Sequence, residues 1–314
     1  MGEKTMGPAL PQTGDAKDCA PVPHNQLTVI KIREAMAAGA FRLNFQPTVS
    51  LDESEEQYFE VRCGLAFDSE SLPARQLFDV ANKQQLGREL DRWIITRAFK
   101  LLRLSNQPHL NLSVWIGRVT IQDPQFMDWI ASQLCDSANR PGQVIFQISE
   151  RDVLPDEAAA QQFCQSLKDM GFRVCLVERT DALNSAATSR NLSLNHSRDL
   201  SRNLTRGLTR GLTRDLPRNV RLDSPLNLPL DYLKLAPEYI HNIEHESKRR
   251  LRLKKRIAAL NRRGIRVIAA QLDDILLLPI LWKAGVDFAQ GNCLWAPDQN
   301  INTGIPHHQA ICLN

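Results

Sequence analysis

Short apolar runs and amphipathic stretches take turns along most of this 314-residue chain, and that alternation leaves few folds open. Eight runs have the length and composition of strands: Phe41–Gln46, Phe59–Ala66, Leu110–Ile116, Val144–Ser149, Arg173–Val177, Tyr232–Leu235, Arg266–Ala270 and Phe288–Gly291. Helical spacing over Leu27–Ala40, Leu90–Leu104, Pro124–Ser137, Asp156–Met170, Lys248–Arg262 and Asp274–Ala284 separates most of them. Strands that alternate with helices pair in parallel, and eight of them close into an α/β fold, the (β/α)8 barrel. Barrels of this kind carry their chemistry at the C-terminal ends of the strands, which is where functional side chains are expected.

One segment breaks the alternation. Residues 189–220 read as eight degenerate tetrads, SRNL SLNH SRDL SRNL TRGL TRGL TRDL PRNV. A period of four drifts by about 40° per repeat around an ideal helix, so its leucines would not face one core. The repeat lies between the fifth and sixth strands and is expected to be an inserted loop, either solvated or serving as a partner-binding arm. It also explains the net charge of +4, since it holds seven Arg and two Asp. Without it, 32 basic residues face 33 acidic ones.

Other features narrow the function classes. No apolar run approaches the ~20 residues needed to cross a bilayer, so no membrane span is expected. Residues 1–26 are polar and lack the apolar stretch of a secretory signal, and they read as a flexible tail. The seven cysteines are scattered without a C-x-x-C pair, which fits reduced thiols in a cytoplasmic protein. The histidines form no metal-binding spacing. The basic run Lys248–Arg256 is interrupted by Leu251 and Leu253 and followed by Ile257 and Leu260. That spacing describes an outer barrel helix with one apolar stripe and a solvated face. Without interleaved aromatics or a binding motif it argues against nucleic acid, with an acidic protein partner as the remaining alternative.

The strand ends carry a recognisable order of landmarks: Phe45-Gln46-Pro47, Glu60 in FEVRCGL, Leu90-Asp91-Arg92-Trp93, Asn111 in LNLS and Gln147 to Glu150 as QISE. Lys234 in LPLDYLKL and Gln290-Gly291 complete it. Across some 270 residues this order resembles the EAL family of cyclic-di-GMP phosphodiesterases. The resemblance implies a modified TIM barrel whose first strand runs against the others, here spanning 27–306, with 307–314 as a C-terminal tail. Active members bind two divalent metals at the barrel mouth and hydrolyse cyclic-di-GMP to a linear dinucleotide, and in them the loop after the fifth strand couples metal binding, dimerisation and catalysis.

The same resemblance implies that this chain has lost the chemistry. Glu60 and Asn111 fall on metal-ligand positions, as vestiges. Gln147, Val177, Ala236 and Ala270 stand where the family has acids. Glu178 is one residue out of phase and would point to the opposite face of its strand. No metal or other cofactor is therefore expected, and the chain is read as a non-enzyme. Residual hydrolysis is the weakest alternative.

Gln46, Glu60, Arg62, Asp91, Asn111, Lys234 and Gln290 fall on or beside positions that line the family's ligand groove. Asp91 would accept from a guanine edge, and Lys234 would meet a phosphate. Competing structural roles are a cap by Asp91 on the helix it opens, and pairing of Lys234 with Glu178 or Glu150. Gly64 replaces a phosphate-binding arginine of the family, and Arg62 shares its strand parity. Two functions stay open: a cyclic-di-GMP receptor acting through a regulatory protein partner, or a scaffold that contacts such a partner without the nucleotide. A homodimer stays open too. No GGDEF, PAS or transmembrane module is read ahead of the barrel, and motility, pilus function and biofilm formation are expectations of the family alone.

Overall fold

The computed structural model describes residues 29–52, 54–67, 70–72, 78, 80–82, 85–135, 139–178 and 227–301. The tetrad repeat and both expected tails lie outside them.

Among the described residues nine strands form one sheet: β1 (Phe41–Ser50), β2 (Gln57–Phe67), β3 (Glu70–Leu72), β4 (Leu110–Trp115), β5 (Val144–Ser149), β6 (Arg173–Val177), β7 (Tyr232–Leu235), β8 (Arg266–Ala269) and β9 (Phe288–Ala289). All but β3 join a closed ring, because β1 pairs with both β2 and β9. Both of those pairings are antiparallel, whereas β2 and β4 through β9 run parallel. The expected eight-stranded barrel with a reversed first strand is therefore present. The short β3 extends β2 as a hairpin that the apolar pattern did not reveal.

Helices wrap the ring: α1 (Val29–Ala38), α2 (Gly87–Ser105), α3 (Arg118–Ile121), α4 (Phe126–Leu134), α5 (Glu150–Val153), α6 (Glu157–Asp169), α7 (Ser247–Asn261) and α8 (Leu278–Ala284). In α2, Leu90, Ile94, Ile95, Ala98, Phe99 and Leu102 recur at helical spacing and are buried against the sheet. That helix stops at Asn106, whose φ of 47° is left-handed. Asp156 starts α6 by accepting from the Ala159 backbone N–H at 3.0 Å. The helix expected over 274–284 divides into a 3-10 turn, Ile275–Leu277, and α8, with Pro279 in the first turn of the second piece.

The basic helix α7 departs from its expected stripe. Leu253, Ile257 and Leu260 are buried, but Leu251 is 55% exposed and Arg256 takes a buried place instead. The guanidinium of Arg256 pairs with Glu178, donates to the Tyr239 hydroxyl at 2.6 Å and lies 4.4 Å from that ring. An arginine is buried here because its charge is matched and its plane is stacked. Cys63, Cys164 and Cys175 are buried free thiols, whereas Cys135 is exposed.

Candidate ligand site at the barrel mouth

Inward-pointing side chains fill the barrel. Near its N-terminal end Tyr58, Tyr232 and Phe288 pack together, with the Arg266 guanidinium 4.4 Å from the Phe288 ring. Ile145, Cys175 and Ile268 join the same cluster. Below the mouth the barrel interior leaves a cavity of about 20 Å3. That is room for one water and for nothing larger.

Toward the mouth the lining turns polar and charged. Lys234, on β7, reaches across the barrel to Glu60 on β2, and both are buried. Lys234 Nζ also donates to Gln290 Oε1 at 3.0 Å, and Gln290 Nε2 donates to Thr48 Oγ1 at 3.1 Å. The second oxygen of Glu60 accepts from Arg62 Nε and from the Trp115 indole N–H, each at 3.3 Å. Burial alone would raise the pKa of Glu60. The opposing charges of Lys234 and Arg62, with the hydrogen bonds, outweigh it and hold the carboxyl at about 2. Gln147 donates to Ser113 Oγ at 2.8 Å, and its buried Oε1 has no partner among the described residues.

The expected groove residues thus divide. Glu60, Arg62, Lys234 and Gln290 come together as one network. Gln46 lies opposite Glu60 in the β1–β2 register, and its amide donates to Asn292 Oδ1 at 3.1 Å and toward the Trp295 carbonyl. Asp91, on α2, neither joins the network nor caps the helix it opens. Its Oδ2 accepts from the Gly117 N–H at 2.9 Å and the Thr120 hydroxyl at 2.6 Å, which ties down the start of α3. Burial pushes the Asp91 carboxyl up to about 7, more than these two hydrogen bonds bring it down. Lys234 pairs with Glu60, and not with Glu178 or Glu150 as the alternatives had it.

Asn111 is not beside Glu60. It is the second residue of β4, paired in register with Tyr58, and its side-chain amide donates to the carbonyls of His109 and Gln57. Four residues further along the same strand, Trp115 is the side chain that touches Glu60. Sequence reading missed Trp115, Ser113 and Thr48. Their signal was strand parity alone, since each shares a face with an expected site residue.

Glu178 faces away from the mouth, as its parity requires, with one oxygen on Arg256 and the other accepting from the Ala236 N–H at 3.2 Å. The glycine of Gln290-Gly291 has a steric cause. A Cβ there would lie 2.1 Å from the Leu272 carbonyl oxygen.

The model of the EAL domain family matches residues 30–210 and 218–297. This chain belongs to the EAL family. The EAL barrel is similar to the FimX EAL domain of Pseudomonas aeruginosa bound to c-di-GMP, with a TM-score of 0.69 and 22% identity. That alignment covers 88% of this chain and 99% of the other. The Xanthomonas citri FimX EAL domain in complex with c-di-GMP gives a TM-score of 0.66 at 22% identity, over 88% and 96% of the two chains. Among curated sequences, a 76.5 kDa protein of Thiocystis violacea is 25% identical over 89% of this chain and 35% of its own length. The RNase E specificity factor CsrD of Escherichia coli is 21% identical over 87% and 36%. This chain therefore spans about a third of the curated relatives it matches. No helix among its described residues is long and apolar enough to cross a membrane.

Proposed function

We propose that this EAL domain is a non-catalytic cyclic-di-GMP receptor that acts through a regulatory protein partner in the cytoplasm. The observation that carries the non-catalytic half is the buried Lys234–Glu60 pair. A divalent cation needs several oxygen ligands, mostly anionic. Here the Glu60 carboxylate, which heads the inner-mouth network of the described residues, is already neutralised by an ammonium group. Gln147 adds a neutral amide, while Val177, Ala236 and Ala270 supply no side-chain donor. The residues present do not fit the family's pair of metals.

The receptor half draws on the exposed rim. Arg62 stands above Glu60 with 39% of its side chain exposed, and it offers a cationic contact for a phosphate. The FimX domains seen with c-di-GMP lend the ligand class. A specific observation favours the scaffold reading as the second choice: the Asp91 carboxylate and the Gln46 amide already have protein partners.

Calorimetric titration of cyclic-di-GMP with and without Mg2+, followed by chromatography of the mixture, tests both halves. Binding heat that does not depend on Mg2+, with intact ligand recovered, is the expected result. Arg62→Ala should weaken that binding about tenfold, the scale of one charged hydrogen bond. Linear dinucleotide would overturn the non-catalytic half. Absence of binding, checked with a labelled ligand, would hand the function to the scaffold reading.

A further inference from the structure

Outside the barrel, far from the mouth network in chemistry, α1, α2 and α4 border an open groove of about 590 Å3. Met36, Trp93 and Trp129 line it, together with Arg92, Arg97 and Lys100. Both indoles are only half-buried. Arg97 lies 5.1 Å from the centre of the Trp93 ring, and Arg92 lies 5.2 Å from that of Trp129. Each indole thus already has a guanidinium over its ring.

The charges of the groove do not cancel. Its acid, Glu89, is paired with Arg33 at 2.7 Å, and Arg92 is paired with Asp123 at 2.9 Å. Arg97 and Lys100 are exposed and have no carboxylate in salt-bridge reach among the described residues. Trp93, Arg97, Lys100 and Leu104 recur at four-, three- and four-residue steps, so they share one face of α2. Leu104 on that face is 75% exposed. Helix α7 is more basic, but Leu253, Ile257 and Leu260 are spent on the core, which leaves a charged ridge without aromatic walls.

We propose that this groove docks an acidic, amphipathic peptide segment of a protein partner, with apolar side chains on Met36, Trp93 and Trp129 and carboxylates on Arg97 and Lys100. Charge complementarity selects the acidic occupant, and the half-covered indoles select one with apolar anchors. The inference rests on the protein-partner part of the proposed function and is independent of the nucleotide.

The test pans a library of random 15-residue peptides against the full chain without cyclic-di-GMP, so its outcome does not depend on whether the mouth binds. The most enriched peptide is then labelled and titrated. Enrichment of acidic peptides with spaced apolar residues is expected. Arg97→Glu combined with Lys100→Glu should weaken the labelled peptide at least tenfold, while Lys254→Glu with Lys255→Glu on α7 leaves it within twofold. Circular dichroism of both variants checks that they fold alike. Recovery of no acidic consensus, or equal losses in the two variants, would overturn the proposal. Phosphatidylserine vesicles form a further arm. Retention on them that the α2 variant abolishes, with no peptide consensus, would replace the protein partner by a membrane surface.

Discussion

Glu60 and Lys234 are both buried, so neither charge can be removed alone at low cost. Lys234→Met should destabilise the fold by about 3 kcal/mol, because it leaves the buried carboxylate only the half-exposed Arg62 and the Trp115 indole as partners. Pairing it with Glu60→Leu should recover most of that loss, as urea unfolding of the three variants would show. The pH dependence has a definite sign. The folded pKa of Glu60, about 2, lies below its ordinary 4.5, so its contribution is complete above pH 4.5 and fades as pH falls toward 2. Asp91 runs the other way. Its folded pKa of about 7 lies above the ordinary 3.8, so the folded chain takes up a proton in that interval and loses stability as pH rises through it. Asp91→Asn should keep an oxygen for Gly117 and Thr120 while removing this slope. The variant should match the parent near pH 4 and exceed it at pH 8 by roughly 1–4 kcal/mol, measured by unfolding at both pH values.

At the scale of elements, sequence pattern shows the strands because strands buried on both faces demand short, nearly continuous apolar runs, and it shows α2 because its apolar residues recur at helical spacing. Register around the ring is another matter. The L-N-L-S run identifies β4 but does not say how far along the strand the mouth lies, and Asn111 proves to be near the strand's beginning. The pairing of Lys234 with Glu60 depends on barrel circumference and tilt, which no local window contains. The burial of Arg256 depends likewise on Glu178 and Tyr239, brought to it by other elements. Gly291 was legible as part of a landmark, while its reason was not. The backbone of Leu272 passes so close that Gly291→Ala must push the strand ends apart. That substitution should cost about 3 kcal/mol or more, or prevent folding, as thermal melting would report.

For the whole molecule, β6 and β7 are paired in parallel at Cys175–Tyr232 through Val177–Lys234, although the tetrad repeat intervenes in sequence. Removing residues 189–220 leaves 24 residues between Val177 and Lys234, enough for a parallel crossover. The shortened chain should melt within a few degrees of the parent, since long surface insertions change loop-closure entropy only slightly. It should also migrate as a less basic species on ion exchange. A large drop in melting temperature would show that the repeat contributes to the fold.

The reversed first strand has a consequence for how this barrel comes into being. β1 is the first strand of this barrel to be made, yet its Val49 and Ser50 find strand partners only in Ala289 and Phe288, on β9, which at two residues is the shortest strand of the ring. Until β9 emerges, the growing sheet has an exposed edge on each side, β1 on one and the newest parallel strand on the other. The barrel therefore stays an open sheet until β9 is made, and truncation before Phe288 would leave a species primed to pair with its own copies.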